Sequence, residues 1–224
     1  MMKRSAFALA TATALCSISP AALAYGAEDF WIRAGAVRVQ PTGSDNHLNT
    51  DSGNHDIKID NKQTGAAFTI GYRFTDKFGV ELLGAPESFK HDVMIDGQKS
   101  ASAHLLPPTL TAQYYPLGGT NSQVQPYVGA GVNYTRFTNT HLYDENGKTL
   151  DEDTRLVMNH TWGYAVQAGV DFNISEHWGA NLGVWYMDID AKSHLEDKNG
   201  KTVGSETTLH IDPIVTMAGI TYRF

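Results

Sequence analysis

The chain has 224 residues, 42% of them hydrophobic, and 17 Lys and Arg stand against 24 Asp and Glu for a formal charge of −7. That acidic balance excludes a nucleic-acid partner, whose phosphates demand a concentrated basic face. Beyond the first two dozen residues no segment approaches 18 consecutive apolar positions, which excludes a membrane-spanning helix.

The first 24 residues read as a cleavable export signal: Lys3 and Arg4, an apolar run from Ala6 to Leu15, then Pro20 before Ala22-Leu23-Ala24. Cys16, the sole cysteine, falls inside this segment, and Leu15 before it argues against a lipoprotein signal. Without Lys3 and Arg4, 17 basic residues become 15, and 15 against 24 acidic residues is a charge of −9 for residues 25–224. Those residues therefore hold no cysteine and need no disulfide in an oxidising compartment.

The rest of the chain alternates throughout, with no capped 3.6-residue stripe. Eight strands are expected at about 28–40, 63–74, 77–94, 100–116, 124–139, 159–174, 177–194 and 205–224. Their connections fall into two sets. Residues 41–62, 95–99, 140–158 and 195–204 are rich in Asp, Asn, Gly and Lys, whereas 75–77, 116–123 and 175–176 are tight. Long loops at one end and short turns at the other, with an even strand count, predict an all-β fold: an eight-stranded antiparallel transmembrane β-barrel over residues 25–224.

The alternation shows which face meets lipid. In strand six, His160, Trp162, Tyr164, Val166, Ala168, Val170, Phe172 and Ile174 form an apolar band with aromatics near both ends. Trp178 to Tyr186 and Phe68 to Phe74 repeat the layout, as interfacial aromatic girdles do. A soluble barrel or sandwich predicts a charged opposite face, but here that face is rich in Gly, Ala and Thr. The chain ends in mid-strand on Phe224 because the last strand must pair with the first, leaving no edge in lipid. Gly219, Tyr222 and Phe224 accordingly form the expected barrel-assembly signal, read by the assembly machinery.

The inward positions sort by depth. Arg33, Arg73, Glu81, Gln113, Asp171, Asn181 and Arg223 fall near the short-turn end and predict a polar plug. Val37, Val39, Leu83, Phe89 and Trp185 predict an apolar lining above it, together with Met187, Ile189, Ile211, Val215 and Met217. A barrel of eight strands has room inside only for side chains or one small ligand. A charged plug under an apolar funnel makes a poor water pore but can hold a hydrophobic solute. Pro86, Pro107, Pro108 and Pro213 lie within strand patterns, where each removes a ladder donor. They are either lateral-gate candidates or bulges at the rim.

"VELLGAPESFKH", "HLLPPTLTAQYY", "QPYVGAGVNYTRF", "WGYAVQAGVDFNI", "WYMDID" and "AGITYRF" together resemble the outer membrane protein W (OmpW) family, including its alkane-uptake relatives, from about Phe30 to Phe224. The resemblance implies an eight-stranded barrel in the cell outer membrane with a narrow, largely hydrophobic lumen that passes small apolar molecules, with exit through the wall. Expected partners are small hydrophobic solutes, outer-membrane lipid and lipopolysaccharide.

Eight of nine histidines (His47, His55, His91, His104, His141, His160, His194, His210) fall near the loop end, and His177 at the other. None forms a tight HxH or HxxxH pair, so solvated loop residues are expected rather than metal ligands, and no cofactor is called for. The acidic run at 144–153 solvates its loop or bridges divalent ions to lipopolysaccharide. A lipid-modifying Ser/His enzyme would have only His104 with Ser100 or Ser102, and no carboxylate is placed to orient that histidine, so no enzymatic activity is expected. The alternative to a conduit is a structural or surface-interaction barrel with a closed lumen, whose loops contact host factors, phage or lipopolysaccharide.

Overall fold

The computed structural model describes residues 26–43, 46–50, 53–60, 63–86, 89–95, 98–142, 154–197 and 201–224. The expected signal segment and the acidic run at 144–153 lie outside them.

Fifteen strands occur among the described residues. They are β1 (Phe30–Gln40), β2 (Asn46–Thr50), β3 (Gly53–Asp60), β4 (Gln63–Arg73), β5 (Phe78–Gly84), β6 (Phe89–Ile95), β7 (Gln98–Leu106) and β8 (Thr109–Tyr114). Then follow β9 (Val124–Leu142), β10 (Thr154–Met158), β11 (Thr161–Asn173), β12 (Trp178–Met187), β13 (Asp190–Asp197), β14 (Thr202–His210) and β15 (Ile214–Arg223). Eight of them close the wall in the order β11-β12-β15-β1-β4-β5-β8-β9, and β9 pairs back onto β11. All pairings are antiparallel, and the seam runs in continuous register from Trp31↔Arg223 to Gln40↔Ile214. Closure gives each of these eight strands a neighbour on both sides, so the wall has no edge strand in lipid.

Exposure follows the two-residue period. Along β11 the outward side chains include Trp162 (71% exposed), while Ala165, Gln167 and Asp171 are buried inside. The girdles are in place. Trp162 and Tyr164 stand at the long-connection end, with Tyr164 and Tyr186 ring centroids 6.3 Å apart. Phe74, Phe78, Trp178 and Phe224 stand exposed at the short-turn end.

The expected strand at 77–94 is broken between Gly84 and Phe89, around Pro86, and that at 100–116 between Leu106 and Thr109, at Pro107 and Pro108. The strand at 177–194 lapses at Asp188 and Ile189, and that at 205–224 at 211–213, before β15. Proline has no N–H to donate, so a ladder stops there or shifts register. The region 41–62, expected as loop, contains β2 and β3, with Asn46↔Ile57 to Thr50↔Gly53 in register. These strands extend past the membrane. Their sequence carries only a brief alternation, Ile57 and Ile59 in β3, too short to mark a strand.

Candidate functional site: a polar floor under an apolar lumen

The floor is built around one guanidinium. Arg33 on β1 pairs with Glu81 on β5 through Nη1, and with Asp171 on β11 through Nη2 (2.6 Å) and Nε (3.2 Å). All three are buried, Arg33 at 1% and the acids at 1% and 2% exposed. Burying three charges is tolerable only when every lone pair and proton finds a partner. Glu81 Oε2 accepts from Thr69 Oγ1 (2.9 Å) and the Trp31 indole (3.4 Å), and its Oε1 from Gln113 (2.9 Å) and Gln167 (2.7 Å). Asn181 Nδ2 donates to Asp171 Oδ1 (2.8 Å) and to the Tyr127 hydroxyl (3.0 Å). The Tyr115 hydroxyl accepts from Arg33 (3.2 Å) and donates to Gln113 Oε1 (2.7 Å).

Aromatic faces complete the seal. The Arg33 guanidinium carbon lies 4.9 Å from the Tyr127 ring centre, and that of Arg73 lies 3.7 Å from the Tyr115 ring centre. Cations over ring faces gain most where water is excluded. Two glycines make room for these rings: a Cβ on Gly71 would lie 2.1 Å from the Trp31 ring, and one on Gly169 would lie 2.3 Å from that of Tyr127. Below the floor, Arg223 Nη1 donates to Asn173 Oδ1 (2.9 Å) and Nη2 to the Ser175 carbonyl (3.0 Å), tying the last strand to the turn at 174–177.

Above the floor the lumen turns apolar. Val37, Val39, Leu83, Trp185 and Met187 belong to one continuous buried cluster with Ile189, Ile211, Val215 and Met217. The layers meet where Gln167 Oε1 accepts from Thr111 (2.9 Å) and the Thr109 hydroxyl touches Met187 Sδ (3.6 Å). The Trp185 side chain is 1% exposed. Thus all seven residues expected in the plug lie buried, six of them grouped about the floor and Arg223 beneath it. Nine of the ten expected apolar residues share the cluster above. Phe89 begins β6, but its side chain lies outside the described residues.

The four prolines differ. Pro213 is buried, its carbonyl accepts from Met187 N (3.2 Å), and the neighbouring Ile211 N bonds to Ile189 O (3.0 Å). The break at Pro107 and Pro108 is bridged by Tyr134 N to Pro108 O (3.0 Å). At exposed Pro86 the β4–β5 ladder ends at Phe68↔Gly84, and the next described pairing on this side is Asp60↔Asp92 between β3 and β6. That interval includes positions 61–62 and 87–88, which are not described. Of the expected assembly residues, Phe224 bonds Phe30 O through its backbone N (3.0 Å) and packs 4.9 Å from Tyr222, centroid to centroid. Gly219 faces Gly35 across the seam, where an added Cβ would sit 2.4 Å from the Ala34 carbonyl oxygen.

Sequence reasoning missed Tyr115, Tyr127, Gln125, Gln167 and Asn133 in the buried polar interior, and Phe137 and Met158 in the apolar cluster. A signal was present for most: Gln125, Tyr127, Asn133 and Phe137 share one parity of strand five, and Tyr115 that of Gln113. Of the histidines, His210 contacts Asp190, His194 lies 3.3 Å from Glu196, and His177 Nδ1 lies 3.1 Å from Arg223 O. The side chains of His47, His55, His91, His104 and His141 lie outside the described residues. Among the described residues, one group of carboxylates converges, Asp188, Asp190 and Asp212 at the long-connection rim.

The OmpW family model matches residues 26–224. Outer membrane protein W of Salmonella typhi is 42% identical over the full length of both chains. The crystal structure of the outer membrane protein OprG from Pseudomonas aeruginosa superposes with a TM-score of 0.76 at 36% identity, over 90% of this chain and 98% of that one. The dibenzothiophene metabolism operon protein PahQ of Pseudomonas aeruginosa is 28% identical over 70% of each chain. With a closed eight-stranded wall, paired aromatic girdles and matches of this extent, the chain belongs to the OmpW family of outer-membrane β-barrels.

Proposed function

We propose that the barrel admits small hydrophobic molecules into its upper lumen and releases them sideways into the membrane, without chemistry. The observation that carries this reading is the stacking of a continuous buried apolar cluster on a floor of satisfied charges. An apolar solute gains about 0.8 kcal/mol for each methylene it buries against that lining. Below it, the solute would have to displace charged groups whose bonds it cannot replace. The exit that costs least is therefore through the wall, beside Pro86, which has no N–H to donate and follows the end of the β4–β5 ladder at Phe68↔Gly84. The relative PahQ is named as a dibenzothiophene metabolism operon protein, which supports a hydrophobic solute here. A second reading, a closed barrel that serves as a surface-contact platform, draws on the paired strands β2, β3, β6 and β7 that extend past the girdle.

Met217→Asp separates the two. Its side chain lies in the lumen at 3% exposure, so the change places a carboxylate in the lining while the lipid face is untouched. Uptake of a small apolar reporter into vesicles or cells falls about tenfold, the lower part of the cost of an unpaired buried polar group. Heat-modifiable migration persists. Unchanged uptake in the folded variant favours the closed platform.

A further inference from the structure

The lipid-facing wall carries a groove unrelated to the lumen. It has a volume of about 720 Å³ and spans five adjacent strands, β11, β12, β15, β1 and β4. The register explains its shape. Two successive rows of outward residues cross these strands, Ala168↔Val184↔Thr216↔Arg38↔Thr64 and, next to it, Val170↔Leu182↔Ala218↔Ala36↔Ala66. At its centre the rows carry only Thr216, Ala218 and Ala36, which lowers the surface between larger neighbours. The volume falls within the roughly 300–1,000 Å³ that organic ligands occupy.

The two ends of the groove differ chemically. At one end Arg38 is exposed on the outer face, with Thr64 and Thr216 directly opposite it on either side. Among the described residues the Arg38 side chain makes no hydrogen bond or ion pair. The other end, at Ala168 and Val170, is wholly apolar and lies midway along β11, between Tyr164 and Phe172. Arg38 lies two residues from the end of β1, and its row is one step below the Tyr186↔Ile214 row that belongs to the long-connection girdle. The groove therefore runs obliquely, as strand tilt dictates, from a cationic, hydroxyl-bearing rim down to the bilayer centre.

We infer that this groove seats one phosphorylated, multiply acylated saccharolipid of the outer leaflet, of the lipid A class. An acyl chain follows the groove down to Ala168, and Arg38 holds a phosphate with help from the two threonine hydroxyls. A guanidinium on a lipid face is expensive unless it reaches the interface and meets an anion; the rim position supplies the first, and the lipid's phosphate supplies the second. The long-connection end is the extracellular one in barrels of this kind, which sets the groove in the leaflet where that lipid resides. A second copy of the chain fits worse. A two-fold contact sets a patch against itself, so concavity would face concavity and Arg38 would face Arg38.

The test uses the full-length folded barrel in detergent, mixed with diphosphoryl lipid A or with its dephosphorylated form, and reads retained lipid by native mass spectrometry. Wild type retains the diphosphoryl form about tenfold better, the value of a charge-assisted contact. Arg38→Gln abolishes that preference, and Ala218→Phe, which fills the groove, lowers retention of both forms. Heat-modifiable migration verifies the fold of each variant. Should Ala218→Phe not fold, Arg38→Gln alone decides. Equal retention of the two lipids by wild type, or an unchanged preference in Arg38→Gln, overturns the inference. So does a wild-type dimer in lipid-free detergent that Ala218→Phe makes monomeric.

Discussion

Replacing Arg33 with methionine keeps much of the side-chain volume and removes the cation that bonds both Glu81 and Asp171. The two acids, 1% and 2% exposed, would then lose the guanidinium that bridges them. Breaking a buried ion pair in this way costs about 3–5 kcal/mol. The structure also predicts which acid suffers more. Glu81 loses one bond and keeps donors from Trp31, Thr69, Gln113 and Gln167. Asp171 loses a two-point contact, 3.2 and 2.6 Å, where Glu81 loses a single bond, and it keeps the 2.8 Å bond from Asn181 among its remaining contacts. Adding Asp171→Asn to Arg33→Met should therefore restore more stability than adding Glu81→Gln, whose new amide protons would meet the amides of Gln113 and Gln167. Urea unfolding in lipid vesicles, followed by tryptophan fluorescence, measures all four proteins. A loss below about 1 kcal/mol in Arg33→Met would refute the claim that the floor depends on this triad. A better rescue by Glu81→Gln would refute the assignment of the weaker partner.

Deleting Phe224 removes both the bond from its backbone N to Phe30 O and the ring packed against Phe30 and Tyr222. The heat-modifiable fraction recovered in outer membranes falls several-fold, and wild-type recovery would show that closure does not depend on the terminal aromatic. At the long-connection rim, burial and then the neighbouring carboxylates of Asp190 and Asp212 hold the Asp188 carboxyl above its usual value of 3.8. A raised carboxyl favours the fold while protonated and loses that contribution as pH rises through its folded-state value. Asp188→Asn therefore stabilises the barrel more at about pH 7 than at about pH 4 in thermal unfolding, and a gain equal at both would remove the like-charge argument.

The wall was legible in the chain because lipid imposes one rule on every spanning strand. Outward positions must be apolar with aromatics at the two interfaces, so the period of two is written into residues such as Trp162, Tyr164, Val166 and Phe172. The depth sorting of the lumen was legible too, since parity and distance from the turns assigned Arg33, Glu81 and Asp171 to one end and Trp185 and Met217 to the other. The strands β2, β3 and β10 were not, because each is short and carries too few alternating apolar residues to mark a strand.

Tertiary structure alone decided the rest. Parity says that Arg33, Glu81 and Asp171 point inward, but only closure brings β1, β5 and β11 close enough for one guanidinium to bridge two carboxylates 48 and 138 residues away. Four prolines looked alike in sequence. The structure ties Pro108 and Pro213 into bridging bonds and leaves Pro86 beside an interval without described pairing, because the outcome depends on which strand lies opposite. The outer groove is likewise a property of register. Ala36, Ala168 and Ala218 are scattered over nearly two hundred residues, and only strand pairing across the closed seam lines them up beneath Arg38.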